Sequence, residues 1–83
     1  MPKQYQDAEL LKTVILTLKE VRKSYGVTLE TFYFDTGIHL ARIEQGKTNI
    51  SVSTLSKICD YFNLELSQFF SEVENIVKSK PSK

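Results

Sequence analysis

The stretch HLARIEQGKTNIS, residues 39–51, decides how the rest of the chain is interpreted. Leu40 and Ile43 stand three residues apart, which is the spacing of a short helix with one apolar face. We place this third helix over residues 39–45. Gly46 behind it can take the left-handed conformation in which helices often end.

A polar loop, KTNIS at residues 47–51, follows that glycine, and Ile50 is the apolar residue that can anchor it. Ser51 or Ser53 caps the next helix, because a serine hydroxyl can accept a hydrogen bond from a free N–H group of the first turn. Asn63 tolerates the left-handed conformation and ends this fourth helix. Its apolar residues recur at helical spacing: Leu55, Ile58, Cys59 and Phe62.

Two helices precede the stretch. The first is predicted over residues 7–25 and ends before Gly26, and the second, capped by Thr28, is predicted over residues 29–34. Residues 35–37, Asp-Thr-Gly, are predicted to form the turn that leads to the third helix. The apolar stripe of the first helix follows i, i+3, i+4, i+7 spacing: Leu11, Val14, Ile15, Leu18, Val21 and Tyr25.

A fifth helix is predicted over residues 66–77 from this apolar row: Leu66, Phe69, Phe70, Val73, Ile76 and Val77. No run alternates apolar and polar residues for long enough to predict a strand, so the fold class is all-α with five helices. At 83 residues the chain is expected to form one domain. Its core is predicted over residues 7–77, and residues 78–83 are predicted to form a flexible basic tail.

Composition excludes several classes of function. One cysteine rules out a disulfide framework, and with only one histidine beside it no metal site and no cofactor are expected. The sequence has no glycine-rich phosphate loop and no Ser/His/Asp or Cys/His arrangement, so we predict no catalytic residue and no enzyme. No apolar run is long enough for a membrane span and the N-terminus is polar, which favours a cytoplasmic protein.

Several apolar residues leave alternatives open. Phe32, Tyr33 and Phe34 are predicted to be mostly core, with one ring exposed, because three neighbours on a short helix cannot all face inwards. Leu16 lies off the main stripe of its helix, and exposed apolar residues of this kind can mark a partner surface, although isolated ones are normal. Cys59 is predicted to be a small buried apolar residue, since no histidine is placed to activate its thiol.

Two charged residues lie on apolar helix faces. On a helical wheel Arg22 falls within the stripe of the first helix, and Glu44 lies beside Ile43 on the inward face of the third. Because a lone buried charge costs several kcal/mol, the simplest arrangement is that the guanidinium and the carboxylate pair. The alternative is that one or both side chains reach the surface.

A series of short motifs runs from Leu18 to Phe70. They comprise Leu18, Val21 and Arg22; Gly26, Val27 and Thr28; Arg42, Ile43 and Glu44 with Gly46 and Lys47; Asn49, Ile50 and Ser51; Thr54 and Leu55; Lys57 and Ile58; and LELSQFF at residues 64–70. This ordered set resembles the lambda-repressor/Cro-like (XRE-type) helix-turn-helix family. The resemblance implies a compact five-helix DNA-binding domain and supports the Arg22–Glu44 pair, because such domains pair an arginine near the end of the first helix with this glutamate.

The resemblance implies a transcriptional regulator that binds double-stranded operator DNA as a homodimer, without a small-molecule substrate. In a helix-turn-helix the third helix enters the major groove, where its outward residues contact base edges. The candidates for base contact are Thr36, His39 and Arg42, and those for backbone contact are Thr28, Gln45, Lys47, Thr48, Asn49 and Ser51. Local capping of helices is the alternative role for His39 and the hydroxyl residues. The fifth helix is the candidate dimer face, or it only closes the core.

Two departures from the family pattern make the scaffold better supported than base reading through the usual contacts, and the first of them, with the near-neutral charge, supports a second hypothesis. The segment between Gly26 and Gly46 is a few residues shorter than usual, and Leu29 stands where a glutamine commonly contacts the DNA backbone. The alternative function is a protein-interaction module, an adaptor or antitoxin-like partner with weak or no DNA binding.

The net charge of +1 argues mildly against a nucleic-acid partner, because many DNA-binding domains are strongly basic. By segment, however, residues 38–59 carry three basic residues against one acidic residue, and residues 60–77 carry four acidic residues and no basic one. The distribution permits a DNA-facing side and an acidic far side. Glu30 and Asp35, near the expected DNA, predict modest affinity.

Overall fold

The computed structural model describes residues 8–46 and 49–79, and within them the chain forms five α-helices and no strand. The helices are α1 Ala8–Ser24, α2 Leu29–Thr36, α3 Leu40–Glu44, α4 Val52–Tyr61 and α5 Leu66–Ser79. The predicted all-α fold is confirmed. No helix in these two ranges is long and apolar enough to cross a membrane.

The ends of α4 follow the predicted signals. The Ser51 hydroxyl accepts a hydrogen bond from the Thr54 N–H at 3.1 Å, which decides between the two serines proposed as the cap. Asn63, just beyond the helix, has a φ of 59° as predicted. Both ends are therefore set by local side-chain chemistry.

The other boundaries shift slightly. Helix α3 is one residue shorter at each end than predicted, with His39 and Gln45 as its flanking caps. Helix α5 continues to Ser79, so the first two residues of the predicted tail are helical. The predicted start of α1 at residue 7 and the rest of the tail, residues 80–83, lie outside the described residues.

The predicted turn at residues 35–37 is wrong, because α2 continues through Thr36. The Thr36 hydroxyl donates to the carbonyl oxygen of Phe32 at 2.8 Å and accepts from the N–H of Ile38 at 3.0 Å. It therefore closes the last turn of the helix instead of breaking it. Gly37, with a φ of 76°, supplies the left-handed residue that ends α2.

The core forms where α1 packs against α3 and α5, α2 against α3, and α4 against α5. Phe32 lies at its centre, fully buried, with its ring centroid 4.8 Å from that of Tyr61 and 5.7 Å from that of Phe62. Tyr25, predicted on the apolar stripe, is more than half exposed although its ring contacts Phe62. The buried apolar residues are Val14, Leu18, Phe32, Leu40, Ile43, Leu55, Ile58, Cys59, Phe62, Phe69 and Val73.

Two threonines that the apolar pattern omits are also buried on α1. The Thr13 hydroxyl donates to the carbonyl oxygen of Glu9 at 3.0 Å, and the Thr17 hydroxyl donates to that of Thr13 at 2.7 Å. Because α1 itself satisfies both hydroxyls, they can be buried without a partner from another helix.

The prediction for the aromatic run at residues 32–34 is wrong in one respect, and the prediction for Cys59 is confirmed. The prediction of one exposed ring is wrong: Tyr33 is 46% exposed and Phe34 is 88% exposed, while only Phe32 faces inwards. Cys59 is buried as predicted. Burial first, and then the neighbouring charge of Asp60, raise the pKa of the Cys59 thiol, which disfavours the reactive thiolate.

Candidate nucleic-acid interface

The predicted ion pair between Arg22 of α1 and Glu44 of α3 is present. Nε donates to Oε2 at 2.8 Å and Nη2 donates to Oε1 at 3.2 Å, and the side chains are 10% and 8% exposed. Nη1 donates to the carbonyl oxygen of Val27 at 2.9 Å. The Arg22 guanidinium therefore joins Glu44, the last residue of α3, to Val27, the residue before the cap of α2.

The outward face of α3 is polar. Arg42 is exposed, and its guanidinium makes no hydrogen bond or ion pair within residues 8–46 and 49–79. Gln45, the C-cap, is exposed as well. The carboxylate of Glu44, in contrast, is bound inside by Arg22, so this face presents a cation and an amide without a competing acid.

His39 precedes α3 as its N-cap, but its side chain makes no capping hydrogen bond. Its ring instead stacks on that of Tyr33 of α2, with centroids 4.3 Å apart and planes 26° from parallel. The alternative role for His39, in which its side chain caps α3, is therefore wrong. Tyr33 was not among the candidate site residues, because a contact across the α2–α3 turn leaves no periodic signal in the sequence.

The N-termini of α2 and α4 are built alike. Thr28 accepts a hydrogen bond from the Thr31 N–H at 3.1 Å, as Ser51 does from Thr54, and in each pair the capping hydroxyl donates to the threonine hydroxyl at 3.0 Å. The N–H groups of the first two residues in each helix have no acceptor inside the helix. Together with the helix dipole, such groups attract an anion.

The remaining candidate residues differ in position. Thr36 is partly buried, and both of its hydrogen bonds are local, so its hydroxyl retains one lone pair for another contact. Asn49 is exposed, just before the α4 cap. Lys47 and Thr48 lie outside the described residues.

The Asp35 carboxylate, predicted to lower DNA affinity, has a partner on α4. The Tyr61 hydroxyl donates to Oδ2 of Asp35 at 2.5 Å. That hydrogen bond, with smaller contributions from desolvation and from the Asp35 charge, raises the pKa of Tyr61. The carboxylate is thereby drawn to the C-terminal end of α4, away from the helix end that Ser51 caps.

No cluster of three His, Cys, Asp or Glu residues suited to a metal ion occurs in the part of the chain that the structure describes. The site instead consists of one helix, α2, a glycine turn, and a second helix, α3, with a polar outward face. This arrangement defines a helix-turn-helix domain.

A family model described as helix-turn-helix matches residues 18–69. The chain belongs to the XRE-type, lambda-repressor/Cro-like helix-turn-helix family, whose members are DNA-binding regulators and are generally not enzymes. Neither a search of curated proteins nor a search of solved structures returned a match.

Proposed function

We propose that the chain is a sequence-specific transcriptional regulator that binds operator DNA as a dimer. The outward face of α3 carries the proposal. Arg42 is exposed and unpaired within the described residues, while the acid of the same helix, Glu44, is neutralised inside by Arg22. An available cation on the second helix of a helix-turn-helix is suited to the negative, acceptor-rich major groove.

Base recognition is assigned to the α3 side of the turn. Arg42 can donate two parallel hydrogen bonds to guanine, a contact worth about 1–3 kcal/mol of discrimination. His39 can donate to a base or phosphate, since its ring nitrogens are not used to cap the helix. Thr36 contributes at most through its remaining lone pair, because its hydroxyl already holds the turn.

Backbone contact is assigned to the two capped helix ends and their neighbours. Thr28 and Ser51 cap α2 and α4, and the free backbone N–H groups of these two first turns can bind a phosphate. Gln45 precedes the loop between α3 and α4, Asn49 lies within it, and both are exposed. The lysine and threonine of that loop, Lys47 and Thr48, complete the proposed set.

Dimer formation is assigned to α5. Phe70 and Val77 are seven residues apart, hence on one side of the helix, and both are more than one-third exposed. A two-fold dimer would present two α3 helices to half-sites one DNA turn apart. Phe70→Glu with Val77→Glu is expected to give a monomer in analytical ultracentrifugation, whereas Asn75→Glu, which adds a negative charge on the far side of α5, should leave the mass unchanged.

To test DNA binding, the affinity for duplex DNA is measured by fluorescence anisotropy at a series of salt concentrations. A regulator that neutralises phosphates loses affinity steeply with salt, with a log–log slope of about −0.9 per phosphate contacted. Arg42→Ala should weaken binding, and Lys78→Ala, an equal charge loss in the last turn of α5, should not. A flat salt response, or no binding at low salt, would overturn the proposal in favour of the protein-interaction module.

A further inference from the structure

The stacked rings of Tyr33 and His39 form an exposed aromatic surface across the turn between α2 and α3. Its ring faces are apolar, while the Tyr33 hydroxyl and the His39 ring nitrogens lie at the ring edges. The two centroids are 4.3 Å apart with the planes 26° from parallel, and Tyr33 remains 46% exposed. His39 is held by this stack and not by a capping bond. The orientation of the imidazole is therefore set by a neighbour on the other helix.

This surface adjoins the N-terminus of α3. In helix-turn-helix complexes, the residues at this terminus of the helix contact base edges. Among the groups that base pairs present in the major groove, the 5-methyl group of thymine is apolar and the others are donors and acceptors. A ring face placed there makes binding more favourable when it packs on the methyl group. It makes binding less favourable when it covers a donor or acceptor that is left without a hydrogen bond.

We propose that Tyr33 and His39 act as one unit that recognises the 5-methyl group of thymine. The inference rests on the proposed DNA-binding function and adds Tyr33 as a specificity-determining residue. The stack supplies apolar readout beside the hydrogen-bonding readout of Arg42, so the preferred half-site contains a thymine near the guanine that Arg42 contacts.

Phe34 provides a matched control. It is the next residue on α2 and is 88% exposed, but its ring has no aromatic partner among the described residues. Because successive helical residues differ by about 100°, it faces a different direction from Tyr33. Loss of Phe34 removes an exposed aromatic ring without touching the stack.

The experiment replaces each thymine of the preferred duplex by uracil, one position at a time, which removes the methyl group and keeps every hydrogen-bonding group. Wild-type protein should lose about fourfold in affinity at one position per half-site, the equivalent of the ~0.8 kcal/mol of one buried methyl group. Tyr33→Ala and His39→Ala should bind the thymine and uracil duplexes equally well. Tyr33→Phe and Phe34→Ala should retain the fourfold difference.

The outcomes separate the two proposals. If the wild-type protein binds no duplex, the proposed function fails. If it binds duplex DNA in a salt-dependent manner but tolerates uracil at every position, only the present inference fails. Retention of the uracil penalty by a folded Tyr33→Ala protein, checked by circular dichroism, would also overturn it.

Discussion

Arg22 and Glu44 form a two-point ion pair that joins the end of α1 to the end of α3, with nitrogen–oxygen distances of 2.8 and 3.2 Å. The third guanidinium nitrogen is bound to the carbonyl oxygen of Val27. A charge this deeply buried is tolerated because its donors have partners. The pair fixes α3 against the core, and it removes the carboxylate of α3 from the face proposed to meet DNA.

Removing the acid should therefore leave an uncompensated buried cation. Glu44→Ala is expected to lower the free energy of unfolding by roughly 3–5 kcal/mol, measured by urea denaturation. Glu74→Ala, which removes an exposed carboxylate from α5, should change it by less than about 0.5 kcal/mol. Equal stabilities of the two variants would show that the pair does not hold the fold.

Ser51→Asp separates capping from phosphate contact. Aspartate caps a helix as well as serine does, so the free energy of unfolding should stay within about 0.5 kcal/mol of wild type. The new negative charge should weaken duplex binding by roughly 1 kcal/mol or more if a phosphate lies within about 4 Å. Unchanged affinity at low salt would remove Ser51 from the backbone contacts.

The hydrogen bond from Tyr61 to Asp35 implies a pH dependence in the alkaline range. Because the bond raises the pKa of Tyr61 in the folded state, its stabilisation is complete below the unfolded value of about 10 and is lost as the pH rises through the folded value. The difference in tyrosinate absorbance between wild type and Tyr61→Phe isolates this group. Its midpoint should lie above 10 and fall in Asp35→Asn; a midpoint unaffected by that substitution would contradict the assignment.

Arg42 should control discrimination more than stability. Arg42→Ala, at an exposed helical position, is expected to fold normally and to lose about 1–3 kcal/mol of preference for the specific site over a scrambled one. Arg42→Lys keeps the charge but not the two-point donor geometry, so it should retain non-specific affinity and still lose much of the preference. If either variant discriminates as well as wild type, the base contact is made elsewhere.

The helices were predictable because their apolar residues recur at helical spacing, and because Ser51 and Asn63 mark ends by their own chemistry. The ion pair was predictable from two charges on apolar faces, strengthened by the family resemblance. In both cases the signal lies in the residue and its near neighbours along the chain.

Other features depend on contacts that periodicity does not record. Thr36 stands between an aspartate and a glycine in a sequence typical of a turn. Its hydroxyl nevertheless donates a hydrogen bond to the Phe32 carbonyl oxygen, and α2 extends through it. Thr17 appears polar in sequence but is buried, because its own helix accepts its hydrogen bond. The stack of Tyr33 on His39 requires the path of the chain through the turn to be known.

Selection of bound sequences from a library of random duplex DNA tests the central claim, that the outward face of α3 reads DNA, most directly. The expected product is a pair of inverted half-sites about one helical turn apart, each containing the guanine assigned to Arg42. The same selection with Arg42→Ala should lose that guanine. Recovery of sequences no different from the starting library would contradict the account.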